Sequence, residues 1–295
     1  MTEAIQILSR GLGIGSVYAL IALGFVIIYK STRVISFAQP AFMMAGAVLT
    51  TYLVGPLGFF VALPLAALGT AALGLGVERV AIRPMVGRPA FTVAIITLGI
   101  DAVVRVFASA AIGIELRQVG DPWGLDTTVL FGAEVQQRHL AMVVTTAILV
   151  TALFLFFRYT RMGLAMRAAA YDQEAALAQG VSVGAVFATS WAIAGALAAI
   201  GGTFAAVGSS VESTLWIVAL VALPVIILGG LDSLPGAVLG GVLVGVLQET
   251  VAQFQYTFPE WLGGNASIIT PYVVMFLVLL VRPYGLFGTH EVERV

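Results

Sequence analysis

Side chains able to do chemistry are few in this sequence, and most of them gather in one place. Residues 158–183, RYTRMGLAMRAAAYDQEAALAQGVSV, carry Arg158, Arg161 and Arg167, then Asp172 and Glu174, with apolar blocks on either side. Arginines and carboxylates spread along one stretch, with no histidine or cysteine among them, suit binding through charge. His139 and His290 stand alone, no His-Glu-x-x-His pair occurs and cysteine is absent, so metal hydrolysis and thiol chemistry have no residues to work with. Lys30 is the only lysine and follows Val-Ile-Ile-Tyr, which cannot form a phosphate-binding loop. Any nucleotide hydrolysis must therefore come from another polypeptide. A second charged group, Asp101 and Arg105, has the i, i+4 spacing of an ion pair on one helix face. Asp101 and Glu249 are also the carboxylates that an ion-coupled secondary transporter, acting as a single chain, would use.

The elements that position these residues follow from composition. Of 295 residues 60% are hydrophobic and only 10% charged, with a mean hydropathy of +1.05. A soluble chain carries roughly a quarter charged residues, whereas repeated apolar runs of about 20 residues are what a bilayer core requires. The expected fold is an all-α polytopic membrane protein, a single transmembrane domain over 1–295 with about eight or nine spans. These fall near residues 11–29, 34–54, 56–77, 91–113, 139–157, 184–207, 216–231, 235–252 and 267–281. The first run begins after Arg10, lacks a cleavage site and is expected to be retained. The net charge of -1 excludes a nucleic-acid footprint.

Breaks or re-entrant segments are expected near residues 36–42 and 229–236. In the first, Ser36, Phe37 and Gln39 precede Pro40 at membrane depth, which fits either a pathway-lining break or a kink at Pro40. In the second, Gly229, Gly230, Pro235 and Gly236 form a hinge, and Gly240, Gly241 and Gly245 continue it as a helix-packing stripe. Gly195, Ala199 and Gly202 offer the same close approach in the sixth span. Within 158–183 no β-branched residue lies between Met162 and Gly180, so one helix is expected, stopped at Gly180. Leu164, Ala168, Tyr171, Ala175 and Ala178 share one face of it, and Arg167 and Glu174 share another. Such a helix either docks on a partner or lies solvated.

Orientation follows from the basic residues. One side collects Lys30, Arg33, Arg79, Arg83, Arg88, Arg158, Arg161, Arg167, Arg282 and Arg294, and the other only Arg10, Arg117 and Arg138. The positive-inside rule makes the first side cytoplasmic, with the C-terminus, and places loop 114–138 outside.

Four segments, in order, resemble the permeases of branched-chain amino acid ATP-binding-cassette importers, and the H-type subunit more than the M-type. They are GSVYALIALGFVIIYKSTRVISFAQPAFMMAGA, MGLAMRAAAYDQEAALAQGVSV, ILGGLDSLPGAVLGGVLVGVLQ and RPYGLFGTHEVERV. Arg167, Asp172, Ala176 and Gly180 fall on recurring positions of the family's cytoplasmic loop. The resemblance implies a multi-pass subunit of a bacterial inner membrane, without cofactor or catalysis of its own. Its partners would be a second permease (an M-type chain or a second copy), two ATP-binding subunits and an extracytoplasmic solute-binding protein. Coupling to the ATPase would fall to Arg161, Arg167, Asp172, Glu174, Ala176 and Gly180, and the pathway to Ser36, Phe37, Gln39, Asp101 and Arg105. Ser36, Gln39 and Pro40 replace the family's usual Asn, His and Gly, and Asp232 replaces a Gly, so the implied solute is a class: branched-chain or related small amino acids or amides.

Overall fold

The computed structural model describes residues 2–85, 87–113, 117–130, 132–257 and 265–288. Glu115, His290 and Arg294, with the last part of the closing run, lie outside the described residues. Among the described residues seven helices are long and apolar enough to cross a membrane. They are α1 (Thr2–Thr32), α2 (Gln39–Leu57), α3 (Phe59–Val77), α4 (Ala90–Ile112), α5 (Gln137–Tyr159), α8 (Val183–Ala206) and α11 (Leu234–Phe254). Short helices α6 (Arg161–Tyr171) and α7 (Gln173–Ala178) join α5 to α8, and α9 (Ile217–Leu220) and α10 (Ala222–Gly229) precede α11. The last helix is α12 (Ala266–Val281). The apolar stretches Ile217–Gly229 and Ala266–Val281 are too short to count with the seven, and adding them gives the upper figure read from the sequence.

The centre of the bundle is α1, flanked by α8 and α11. It sits there because small residues remove the bulk that would hold the helices apart. A Cβ on Gly15 would lie 2.7 Å from the Gly241 carbonyl oxygen, and one on Gly241 2.7 Å from the Ala19 backbone nitrogen. Apolar surface gives helices no preference for one another over lipid, so such close approach is a main source of attraction. On α8 there is no room for a Cβ at Gly195 against the Thr70 carbonyl of α3, or at Gly202 against the Met43 carbonyl of α2.

One end of the bundle carries Lys30, Arg33, Arg83, α6 and α7. Arg33 donates to the Ala170 carbonyl at 2.8 Å, Gln173 to the Ser31 carbonyl at 2.9 Å and Lys30 to the Asp232 carbonyl at 3.3 Å. The opposite end carries strands β1 (Arg117–Gln118), β2 (Thr127–Leu130), β3 (Ala133–Gln136) and β4 (Ser210–Val211). The β2–β3 hairpin and the β1–β4 pair are both antiparallel. The periodicity gave no sign of either pair, since each strand has at most four residues.

Four local expectations are corrected. Pro40 stands in the first turn of α2, where its missing N–H costs nothing, so it starts a helix and kinks none. Pro56 lies inside the last turn of α2 and does not open the third span; the next helix begins only after Gly58, whose φ of +74° breaks the chain there. The expected 216–231 span is the α9 and α10 pair, confined to Ile217–Gly229. The single helix of 158–183 is two: at Asp172 the backbone leaves the helical region (φ -152°, ψ 110°), and its carboxylate accepts the Ala175 N–H at 2.9 Å to cap α7. At the far end Gly180, with φ +80°, closes α7. Its N–H donates to the Leu177 carbonyl and that of Val181 to the Ala176 carbonyl, both at 2.9 Å.

Candidate functional site

The basic end is built around α6 and α7. Thr160 opens α6 by accepting the Gly163 N–H at 2.9 Å. Ala169, Ala170 and Ala176 are buried against the bundle, whereas Leu164, Ala168, Tyr171, Ala175, Leu177 and Ala178 are exposed. Tyr171 is 93% exposed, so the apolar side of this helix pair faces outward with nothing over it. Arg161, Arg167, Asp172, Glu174 and Gly180 are exposed with it, and only Ala176 of the expected coupling residues is covered. Arg167 points to a different surface from the rest, the rim of an apolar groove between α5 and α11.

Two clamps that sequence reasoning missed hold this end. Glu78 is buried in a π-turn, Glu78–Ile82, that continues α3. Arg83 meets its carboxylate through two bonds, at 3.0 and 3.2 Å, and donates to the Gly184 carbonyl at 3.2 Å, fixing the start of α8 just after α7. The second clamp is the closing run. Leu286 donates its N–H to the Leu228 carbonyl at 2.8 Å and Phe287 to the Gly229 carbonyl at 3.1 Å, which satisfies carbonyls at the end of α10. In the hinge, Gly229 and Gly236 touch backbone to backbone, and Gly230 (φ +103°) leaves no room for a Cβ beside Gly288. Pro235 lies in the first turn of α11, Ser233 caps that helix by accepting the Gly236 N–H at 3.1 Å, and a Cβ on Gly240 would lie 2.9 Å from the Val225 carbonyl.

The second polar region is the break at residues 33–38 and the helix start that follows it. A helix beginning inside a bundle leaves N–H groups that need acceptors, and just before α2 one comes from α4: Thr97 accepts the Phe37 N–H at 3.0 Å. One oxygen of the buried Asp101 carboxylate has no hydrogen-bond partner among the described residues. Ser36 is fully buried and accepts the Ala38 N–H at 3.4 Å. Gln39 is also fully buried. Its amide donates to the Ala194 carbonyl of α8 at 3.1 Å and fills the space that Gly24 leaves on α1, while its oxygen has no partner among the described residues.

Asp101 and Arg105 form their ion pair at 2.7 Å, and the guanidinium lies 4.2 Å from the Trp216 ring centre. The pair thus belongs to two neighbours: Asp101 faces the start of α2, and Arg105 faces the non-helical segment before α9. Arg105 remains 28% exposed within the span α4, about one turn past its midpoint. Thr97 and Trp216 were not among the residues picked out from the sequence. Thr97 was findable, because Thr97, Asp101 and Arg105 recur at i, i+4 and i+8 on one face; Trp216 is brought in by tertiary structure alone.

A family model described as branched-chain amino acid transport system / permease component matches residues 7–282. The high-affinity branched-chain amino acid transport system permease protein LivH of Salmonella typhimurium is 29% identical over 99% of this chain and 97% of its own. The corresponding protein BraD of Pseudomonas aeruginosa is 29% identical over 99% and 98%. Among solved structures, an ABC transporter described as of the metal-chelate type, in an inward-facing conformation, covers 94% of this chain and 88% of its own at a TM-score of 0.51. At 18% identity that likeness is one of fold.

Proposed function

Because the chain belongs to the family of branched-chain amino acid transport permease components, whose model spans residues 7–282, we propose that it forms half of the translocation pathway of an ATP-driven importer. A second permease, an M-type chain or another copy, completes the pathway. Two ATP-binding subunits act from the basic, cytoplasmic end, and a solute-binding protein delivers branched-chain or related small amino acids or amides from outside.

The observation that supports this reading best is the two-sidedness of α6 and α7. One side is tied to α1 by the Arg33 and Gln173 hydrogen bonds, and the other presents uncovered small and apolar side chains in water. A rigid element fastened on one side and bare on the other is suited to pass motion from an ATPase to the spans. In the assembled complex, Ala168→Trp and Arg161→Glu are expected to abolish solute-stimulated ATP hydrolysis while the permease still inserts and assembles. Wild-type hydrolysis in either variant leaves α6 and α7 as a solvated loop. Cysteines placed at Glu174 and Thr127 are expected to label from opposite faces of the membrane, with Glu174 cytoplasmic. Uptake driven by an imposed pH gradient, with this chain alone in vesicles, is the result that would favour an ion-coupled secondary transporter.

For the pathway itself we propose the Asp101, Arg105 and Trp216 group together with Ser36, Phe37 and Gln39. A charged side chain more than a quarter open at span depth is costly against lipid, by roughly 3 kcal/mol on insertion scales. A polar pathway or the second permease removes that cost.

A further inference from the structure

The surface to which Arg167 is directed is a groove in the outer wall of the bundle. It has a volume of about 570 Å³, its floor includes Leu23 of α1, and its walls are α5 and α11. Val150, Phe154 and Phe157 line one wall and Val238 and Leu239 the other, all of them apolar. Arg158 and Arg167 stand at its basic end. Among the described residues neither has a carboxylate within salt-bridge distance. Arg158 instead lies 5.4 and 5.9 Å from the ring centres of Tyr159 and Phe154. From Val150 to Arg158 the helix rises about 12 Å, close to the roughly 15 Å of hydrocarbon in one leaflet.

We propose that this groove binds an anionic phospholipid of the cytoplasmic leaflet, with an acyl chain between α5 and α11 and the phosphate between Arg158 and Arg167. Charge and depth decide the occupant. The apolar part lies within the hydrocarbon, where a soluble ATPase subunit does not reach. A second copy of this chain is a poor match as well: among the carboxylates of the described spans Asp101 is paired with Arg105 and Glu78 with Arg83, while Glu3 and Glu249 lie toward the opposite ends of α1 and α11. A phosphate joined to an acyl chain matches both the cations and the apolar cleft, as basic pockets between spans on the cytoplasmic side do. The proposal rests on the orientation given under the proposed function, which puts the basic end at the cytoplasmic leaflet, and not on ATP coupling, so its failure leaves the importer reading intact.

The test is native mass spectrometry of the assembled transporter, together with titration of phosphatidylglycerol into delipidated complex held in zwitterionic lipid. Wild type is expected to retain phosphatidylglycerol over phosphatidylethanolamine. Replacing both Arg158 and Arg167 with Gln should weaken phosphatidylglycerol binding roughly thirtyfold, from the usual worth of two basic side chains at an anionic surface. Val238→Trp, which fills the cleft and keeps both arginines, should also lose it, and inorganic phosphate should not compete. Equal retention in either variant, competition by phosphate alone, or capture of a second permease or an ATPase subunit by a photo-crosslinker at Leu239 would each overturn the proposal.

Discussion

Helices α1 and α4 have nearly equal apolar character and opposite fates. In the most apolar window of α1, 89% of residues are buried, against 17% in that of α4. Glycine makes the difference. On α1, Gly11, Gly15 and Gly24 face other backbones or side chains at distances that admit no Cβ, whereas Gly99 on α4 has nothing within 4 Å. What ties α4 to the bundle is instead the row Thr97, Asp101 and Arg105, which reaches the start of α2 and Trp216. One helix is held by shape and the other by polar bonds, the two kinds of attraction left when lipid is as apolar as the side chains.

The comparison is broken most directly at α11. A Cβ at Gly245 would collide with the backbone of Gly15 and Gly11 together, and neither can yield without moving α1. Gly245→Val is therefore expected to destabilise by roughly 3 kcal/mol, the upper end for overpacking. Gly99→Val should be neutral or stabilise by a few tenths of a kcal/mol, about the gap in helix propensity between the two residues, because a Cβ there meets nothing. Thermal melting of the detergent-extracted protein checks both, and equal losses would show that glycine spacing does not decide which helix is central.

The next effect falls on the α4 anchor. Removing one partner of the ion pair strands the other charge, while removing both strands none. Asp101→Asn and Arg105→Gln should each lower stability by roughly 2 kcal/mol, less than a fully buried pair because Arg105 is partly open. The double variant should recover more than half of that loss. Additive melting shifts would mean that the two residues act separately, and α4 would then need another anchor.

Hydropathy carried the spans well because bilayer thickness fixes their length whatever they pack against. The helix limits at α4, α5, α8 and α11 accordingly lie within about two residues of those read from composition, whereas α1 begins nine residues before its expected start. The discrepancies have local causes. Pro40 reads as a kink if the helix is assumed to have begun, and as a start if it has not; only the Phe37 N–H bond to Thr97 decides between them. The Ala-rich stretch around Asp172 favours an unbroken helix, and a single side-chain cap outweighs that preference. Of the candidate site, the face that α6 presents was legible from spacing, but not which side of it would be free. The Glu78 and Arg83 clamp, Trp216 and the docking of the closing run depend on contacts between residues far apart in sequence.

The smallest expected effect also separates the two kinds of attraction most finely, because it places a polar bond inside the shape-packed core. Thr50 of α2 and Thr203 of α8 are both fully buried, with hydroxyls 2.8 Å apart, and the Thr50 hydroxyl lies 3.0 Å from the Gly46 carbonyl. In the arrangement that satisfies both, Thr203 donates to Thr50 and Thr50 donates to Gly46. Thr203→Val then orphans no donor, and its cost should be close to the average for hydrogen bonds between spans, about 0.6 kcal/mol. Thr50→Val removes the acceptor that Thr203 uses and should cost more. The coupling between the two, read from a double-mutant cycle of melting, should stay below about 1 kcal/mol, since the gap left by Gly46 and Gly202 already brings α2 and α8 together. A coupling of about 2 kcal/mol or above would put polar bonding on a par with glycine contact in the core, and the division between a shape-held α1 and a polar-held α4 would no longer describe the molecule.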